Sequence, residues 1–141
     1  MANTDFFDLN LKDKRVLIRE DLNVPMQDGK VASDARLLSA LPTIKHALEH
    51  GADVMVMSHL GRPRENIPIS HQPEFSLRPV VERLELLSGL SFELVGDYLN
   101  GFVRGKADVA VLENVRINLG ESTNDRALSK CLAELCDIFV M

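Results

Sequence analysis

With 141 residues, 45% of them hydrophobic and 26% charged, the chain has the size and composition of one soluble domain that buries its own core without disulfide or metal staples. A formal charge of -5 argues against a general nucleic-acid or membrane-surface role, although a few converging cations can still form a local basic pocket. Met1-Ala2-Asn3-Thr4-Asp5 has no basic stretch followed by an apolar one, no apolar run approaches the ~20 residues of a membrane span, and the two cysteines, Cys131 and Cys136, read as buried thiols in a reducing cytoplasm.

Lys14 to Arg19 predicts a first strand, because Val16-Leu17-Ile18 is a continuous apolar run of the kind buried on both faces of a parallel sheet. A loop follows, closed by the turn signal Asp28-Gly29. Ser33 or Asp34 then caps a helix whose apolar face is Leu37, Leu41, Ile44 and Leu48, with Gly51 as its C-terminal stop. Pro42 falls inside this helix and is expected to bend it. Asp53 to Ser58 is a second strand, followed by a polar loop from Gly61 to Phe75. Ser76 caps a second helix carrying Leu77, Val80, Val81, Leu84 and Leu87, with Pro79 in its first turn. Phe92 to Val95 and Ala107 to Leu112 are further strands. Thr123 or Asn124 caps a helix with Leu128, Cys131, Leu132 and Leu135, and Ile138 to Val140 begins a fifth strand. The alternation predicts an α/β fold, a Rossmann-like doubly wound parallel sheet. An ending inside a central strand suggests that residues 1–141 are an incomplete domain.

Ligands of such sheets lie beyond the carboxyl ends of the strands. Those positions hold Arg19 to Pro25, Ser58 to Pro63 and Glu113 to Arg116, with Arg36 in the first turn of the first helix. One rim therefore collects Arg36, Arg62, Arg116, His59, Asp21 and Asn23. A guanidinium fork matches phosphate and carboxylate oxygens two at a time. Asp accepts from a hydroxyl, Asn can both donate and accept, and Gly61 allows close backbone approach. Singly, each residue has a plainer reading: Asp21 and Asn23 as loop caps, Arg36 as a solvated charge, His59 as structural, and Arg116 as a partner of Glu113 or Glu121. Their coincidence at several strand ends points to a pocket for a small, multiply charged, hydroxylated anion.

Competing motifs fail. No Gly-x-Gly-x-x-Gly follows the first strand, and Gly101 to Ala107 misses the phosphate loop both in glycine spacing and in lacking the final hydroxyl residue. Pro25 spoils a calcium loop starting at Asp21. His46 and His50, four apart, read as a solvated helix end, and no metal site is expected.

Arg15 to Pro25 resembles the opening signature of the phosphoglycerate kinase family. Ser33-Asp34-Ala35-Arg36 with Leu41-Pro42-Thr43-Ile44, then Ser58-His59-Leu60-Gly61-Arg62-Pro63, Ser76-Leu77-Arg78-Pro79-Val80, and Glu113-Asn114-Val115-Arg116 with Gly120-Glu121 are similar to its later blocks, in the same order. The resemblance implies reversible phosphoryl transfer between 1,3-bisphosphoglycerate and ADP in glycolysis, giving 3-phosphoglycerate and ATP. It implies a truncated N-terminal domain of a two-domain kinase, cytoplasmic and monomeric in its parent form, with Mg-ATP or Mg-ADP bound by a C-terminal domain. Asp21 and Asn23 would meet the hydroxyl and carboxyl end of the glycerate, with Leu22 beside them. Arg36 would be catalytic, and His59, Arg62 and Arg116 would hold the 3-phosphate, with Leu60 and Gly61 shaping the loop. Ile117 departs from the usual Phe, and Glu20 and Leu22 from the commonest Val or Ala and Phe. The family's later Asp-Ala-Phe-Gly and Ala-His-Arg segments have no counterpart in these residues, nor has its nucleotide domain, and without a nucleotide site the chain alone is expected to be inactive. A stand-alone anion-binding module is the alternative.

Overall fold

The computed structural model describes residues 9–118 and 126–140. Five strands pair in parallel: β1 (Arg15–Arg19), β4 (Asp53–Met57), β5 (Phe92–Val95), β6 (Val109–Leu112) and β7 (Ile138–Val140), in the order β5-β6-β4-β1-β7. A two-stranded hairpin, β2 (Met26–Gln27) with β3 (Lys30–Val31), stands apart from this sheet. The helices are α1 (Ala35–Glu49), α2 (Arg78–Ser88) and α3 (Arg126–Ala133).

Alternation along the strands divides the core. Val16, Ile18, Val54, Val56, Val109 and Val111 face α1 and α2, meeting Leu37, Leu41, Ile44, Val81 and Leu84. Leu17, Met55, Met57, Ala110 and Leu112 face the other way, onto Tyr98 and the α3 side chains Leu128 and Leu132. The continuous apolar runs are thus a consequence of a sheet covered on both sides. Because all five strands run the same way, their carboxyl ends share one edge. α1 carries the chain from β1 to β4, whereas α3, on the opposite face, leads to β7 on the other side of β1. The winding therefore changes direction at β1.

The differences from the sequence reading are local. The turn at Asp28-Gly29 closes the hairpin, with both residues at positive φ, 53° and 74°. Asp34 is the N-cap of α1, but its carboxylate makes no cap bond. Arg83 of α2 takes it with both prongs, Nε at 2.9 Å and Nη2 at 2.7 Å, because a charged fork outcompetes a backbone amide. Leu77 stands at the N-cap of α2, and Ser76 supports it from one residue before, accepting from the Arg78 N–H. α1 runs unbroken through Pro42, and Gly51, at φ 81°, follows its end. Cys131 and Cys136 are half-buried rather than buried. The suggested caps Thr123 and Asn124 lie outside the described residues, as do Gly120 and Glu121.

The amino edge of the sheet is closed by its own ion pairs. Arg104 donates to Asp53 and Glu93 at 2.6 Å each, and Arg15 pairs with Asp137 across β1 and β7. Leu17 has no exposed surface, whereas Leu86 on α2 is 76% exposed. Leu17→Ala should cost about 2–5 kcal/mol in urea unfolding, and Leu86→Ala less than about 0.5 kcal/mol.

Candidate functional site

Beyond β1 the chain is held by alternating burial. Glu20 extends the ladder by one bond, donating its N–H to the Met57 carbonyl at 3.1 Å. Leu22 and Val24 are buried in the core, which leaves Asp21 exposed and Asn23 half-buried at the rim. Arg36, the second residue of α1, reaches this segment: its Nη1 donates to the Asn23 carbonyl and to Asp21 Oδ1, the latter at 3.5 Å. Both side chains of that ion pair are half or more exposed, so the pairing is weak.

The segment after β4 is joined to the first. Ser58, 1% exposed, accepts from the Leu22 N–H at 3.0 Å and donates to the His59 carbonyl at 3.1 Å, while its own carbonyl takes the Val115 N–H. Asn23 Oδ1 accepts from the Gly61 N–H at 2.9 Å. Gly61 has φ 63°, and a Cβ there would stand 2.9 Å from the Phe75 ring. Glycine is required twice, by conformation and by space.

The segment after β6 supplies buried polar anchors. The Glu113 carboxylate, 3% exposed, accepts from Ser76 Oγ, the Leu77 N–H and the Asn114 N–H at 2.7–2.9 Å. Asn114, fully buried, donates from Nδ2 to the carbonyls of Leu60 and Phe75, each at 2.8 Å, and accepts the Arg116 N–H at 3.2 Å. Arg116 then sits in a one-turn 3-10 helix, Val115–Ile117. Gln72, 1% exposed, stitches the long loop by bonding both the N–H and the carbonyl of Arg64 and the carbonyl of Ile67.

Asp21, Asn23, Arg36 and Gly61 are therefore joined by direct hydrogen bonds, and Leu60 and Arg116 are joined through Asn114. His59, half-buried, and Arg62, exposed, flank Leu60 and Gly61 on the same loop. The side chains of Leu22 and Leu60 belong to the core, so what they can offer a ligand is backbone. Within the segment Gly101 to Ala107, Arg104 and Gly105 lie at the opposite, amino edge. There the Glu93 carboxylate already accepts the Gly105 N–H, which places negative charge where a phosphate loop would need none.

Glu20 is the acid at the carboxyl edge whose pKa is raised, among the described residues. Partial burial, assisted by the neighbouring Asp21 charge, raises its carboxyl from the ordinary 4.5 to about 7. Arg83 holds Asp34, at the start of α1, below the usual carboxylate range, and at the amino edge Arg15 does the same for Asp137.

The phosphoglycerate kinase family model matches residues 6–141. A phosphoglycerate kinase of Vibrio campbellii is 57% identical over 134 residues, which are 95% of this chain and 34% of that protein. The structure of phosphoglycerate kinase from Coxiella burnetii superposes with a TM-score of 0.88 at 48% identity, covering 96% of this chain and 34% of the other. That of Pyrococcus horikoshii OT3 gives 0.71 at 28% identity, covering 95% and 35%. The chain spans about a third of the length of these relatives.

Two outcomes follow from this geometry. Gly61→Ala should destabilise the chain by about 1–3 kcal/mol, from the left-handed backbone and the Phe75 contact together, read as a lowered urea midpoint. Between pH 4.5 and 7 folded Glu20 keeps a proton that the unfolded chain has released, so stability contributed by neutral Glu20 is lost as pH rises through that window. Glu20→Gln should flatten this decline, with melting points converging at pH 5 and 8. The depressed Asp34 and Asp137 act below it, where stability is lost as pH falls.

Proposed function

This chain belongs to the phosphoglycerate kinase family, and we propose that it forms the part of such an enzyme that holds 3-phosphoglycerate or 1,3-bisphosphoglycerate. The observation that carries this reading is the interlocking of three strand-end segments into one rim, through Asn23 with Gly61 and Asn114 with Leu60 and Arg116. In this reading residues 1–141 are the phosphoglycerate-binding domain. The full reaction, reversible transfer to ADP, needs Mg-nucleotide brought by a further domain. The chain by itself is inactive in transfer, and its parent works as a cytoplasmic monomer. Among the described residues no helix is long and apolar enough to cross a membrane.

The roles follow from chemistry. Asp21 accepts from the glycerate hydroxyl and the Asn23 amide donates to its carboxylate. The carboxylate of 3-phosphoglycerate is where a phosphoryl group would be gained or lost. Arg36, already placed against both residues, neutralises charge on that group in the transition state, which is the main protein contribution to phosphoryl transfer. His59, Arg62 and Arg116 take the non-reacting phosphate, with the Leu22, Leu60 and Gly61 backbone completing the wall.

A nitrogen-15 NMR titration tests this. Added 3-phosphoglycerate should saturably shift the amides of Asn23, Gly61, Arg62 and Arg116, and Mg-ATP should not. Arg62→Lys should weaken binding about tenfold, because a point charge replaces a two-pronged donor. Tight Mg-ATP binding, or phosphoglycerate shifts clustered around Arg104, would overturn the reading.

A further inference from the structure

We propose that Asn114 is a positioning residue for the phosphate-holding cations: its buried side-chain amide sets the path of the loop carrying His59 and Arg62 and of the turn carrying Arg116. This rests on the reading above that those three residues take the phosphate.

Asn114 has no exposed surface, so it touches no ligand. Its polar capacity is spent on three separate segments. Both Nδ2 hydrogens go to carbonyls distant in sequence, Leu60 and Phe75, at 2.8 Å each. Its Oδ1 takes the Arg116 N–H, and its own N–H is tied to the Glu113 carboxylate, which in turn anchors Ser76 and the start of α2. Two donors and an acceptor on one compact, uncharged plane are the property of a side-chain amide. A carboxylate there would aim negative charge at two carbonyl oxygens. An alkyl group would leave two carbonyls and one N–H buried without partners.

The second link is Phe75. Pinning its carbonyl places its ring where it bears on Gly61, the residue whose positive φ turns the phosphate loop. Gly61 in turn holds Asn23 Oδ1. One buried amide thus sets the spacing between the loop after β4, the turn after β6 and, through Gly61, the segment after β1. The bonds to Leu60 and Phe75 span 54 and 39 residues, so a change at Asn114 reaches the cations of the loop after β4 by moving the backbone.

The test is a double-mutant cycle on the 141-residue chain, with 3-phosphoglycerate as the probe and NMR as the readout. Asn114→Asp should weaken binding tenfold or more while the amide shifts of β1, β4 and β6 stay in place. Adding Arg62→Lys should then cost far less than it does in the wild-type background, because the arginine is already misplaced. Should Asn114→Asp fail to fold, Asn114→Ser, which keeps the site uncharged, enters the same cycle. Wild-type affinity in the folded Asn114 variant, or an undiminished Arg62→Lys effect in it, overturns the positioning role alone. Failure of the wild-type chain to bind 3-phosphoglycerate overturns both this role and the function on which it rests.

Discussion

Parallel strands deliver their unfinished backbone groups to the same edge, and any of those groups that are shielded from water must find partners there. In this chain the partners are three buried polar side chains at the strand ends, Ser58, Glu113 and Asn114. Each bonds to backbone from a different segment, so satisfying the edge also ties the segments to one another. The site is a by-product of that requirement. Side chains that need no burial, Asp21, Arg36 and Arg62, are left at the rim of a frame already held by residues beneath them.

The two edges of the sheet use charge in opposite ways. At the amino edge Arg104 is one-fifth exposed and bonded to two carboxylates, an arrangement that fastens strands and has nothing to offer a ligand. At the carboxyl edge Arg36 meets Asp21 at the long limit of an ion pair and in solvent, where the interaction is worth little. An anion arriving there exchanges a weak contact for a charge-assisted one. This is how an acidic protein keeps a cationic rim available. The half-buried Glu20 beside Asp21 fits the same economy, since burial raises its carboxyl to about 7 and so lessens the negative charge at this edge on the acid side of neutrality.

Much of the architecture was legible in the sequence. Apolar runs such as Val16-Leu17-Ile18 mark strands covered on both faces, and the Leu37, Leu41, Ile44 spacing marks a helix, because burial imposes those periods directly on the chain. The hairpin was not read as strands, since two residues per strand are too few for a period to register, although its Asp28-Gly29 turn was. Ser33 or Asp34 reads as the helix cap because capping is the commonest local use of both, and Asp34 does stand at the N-cap but without a side-chain cap bond. Its partner Arg83, 49 residues away, wins through a bidentate charge contact that no local pattern announces.

By itself the sequence determined the α/β class, the strand ends and the family, because these depend on short-range periodicity and on ordered motifs. It also placed the candidate ligand-facing residues, whose exposed charges at strand ends stand out against apolar runs. Only the tertiary structure decided what holds them. The bonds from Asn114 to Leu60 and Phe75, from Asn23 to Gly61 and from Gln72 to Arg64 join segments whose separation in sequence says nothing about their approach in space. A buried amide and a surface amide are the same letter, and folding alone determines which of them has two carbonyls within 2.8 Å.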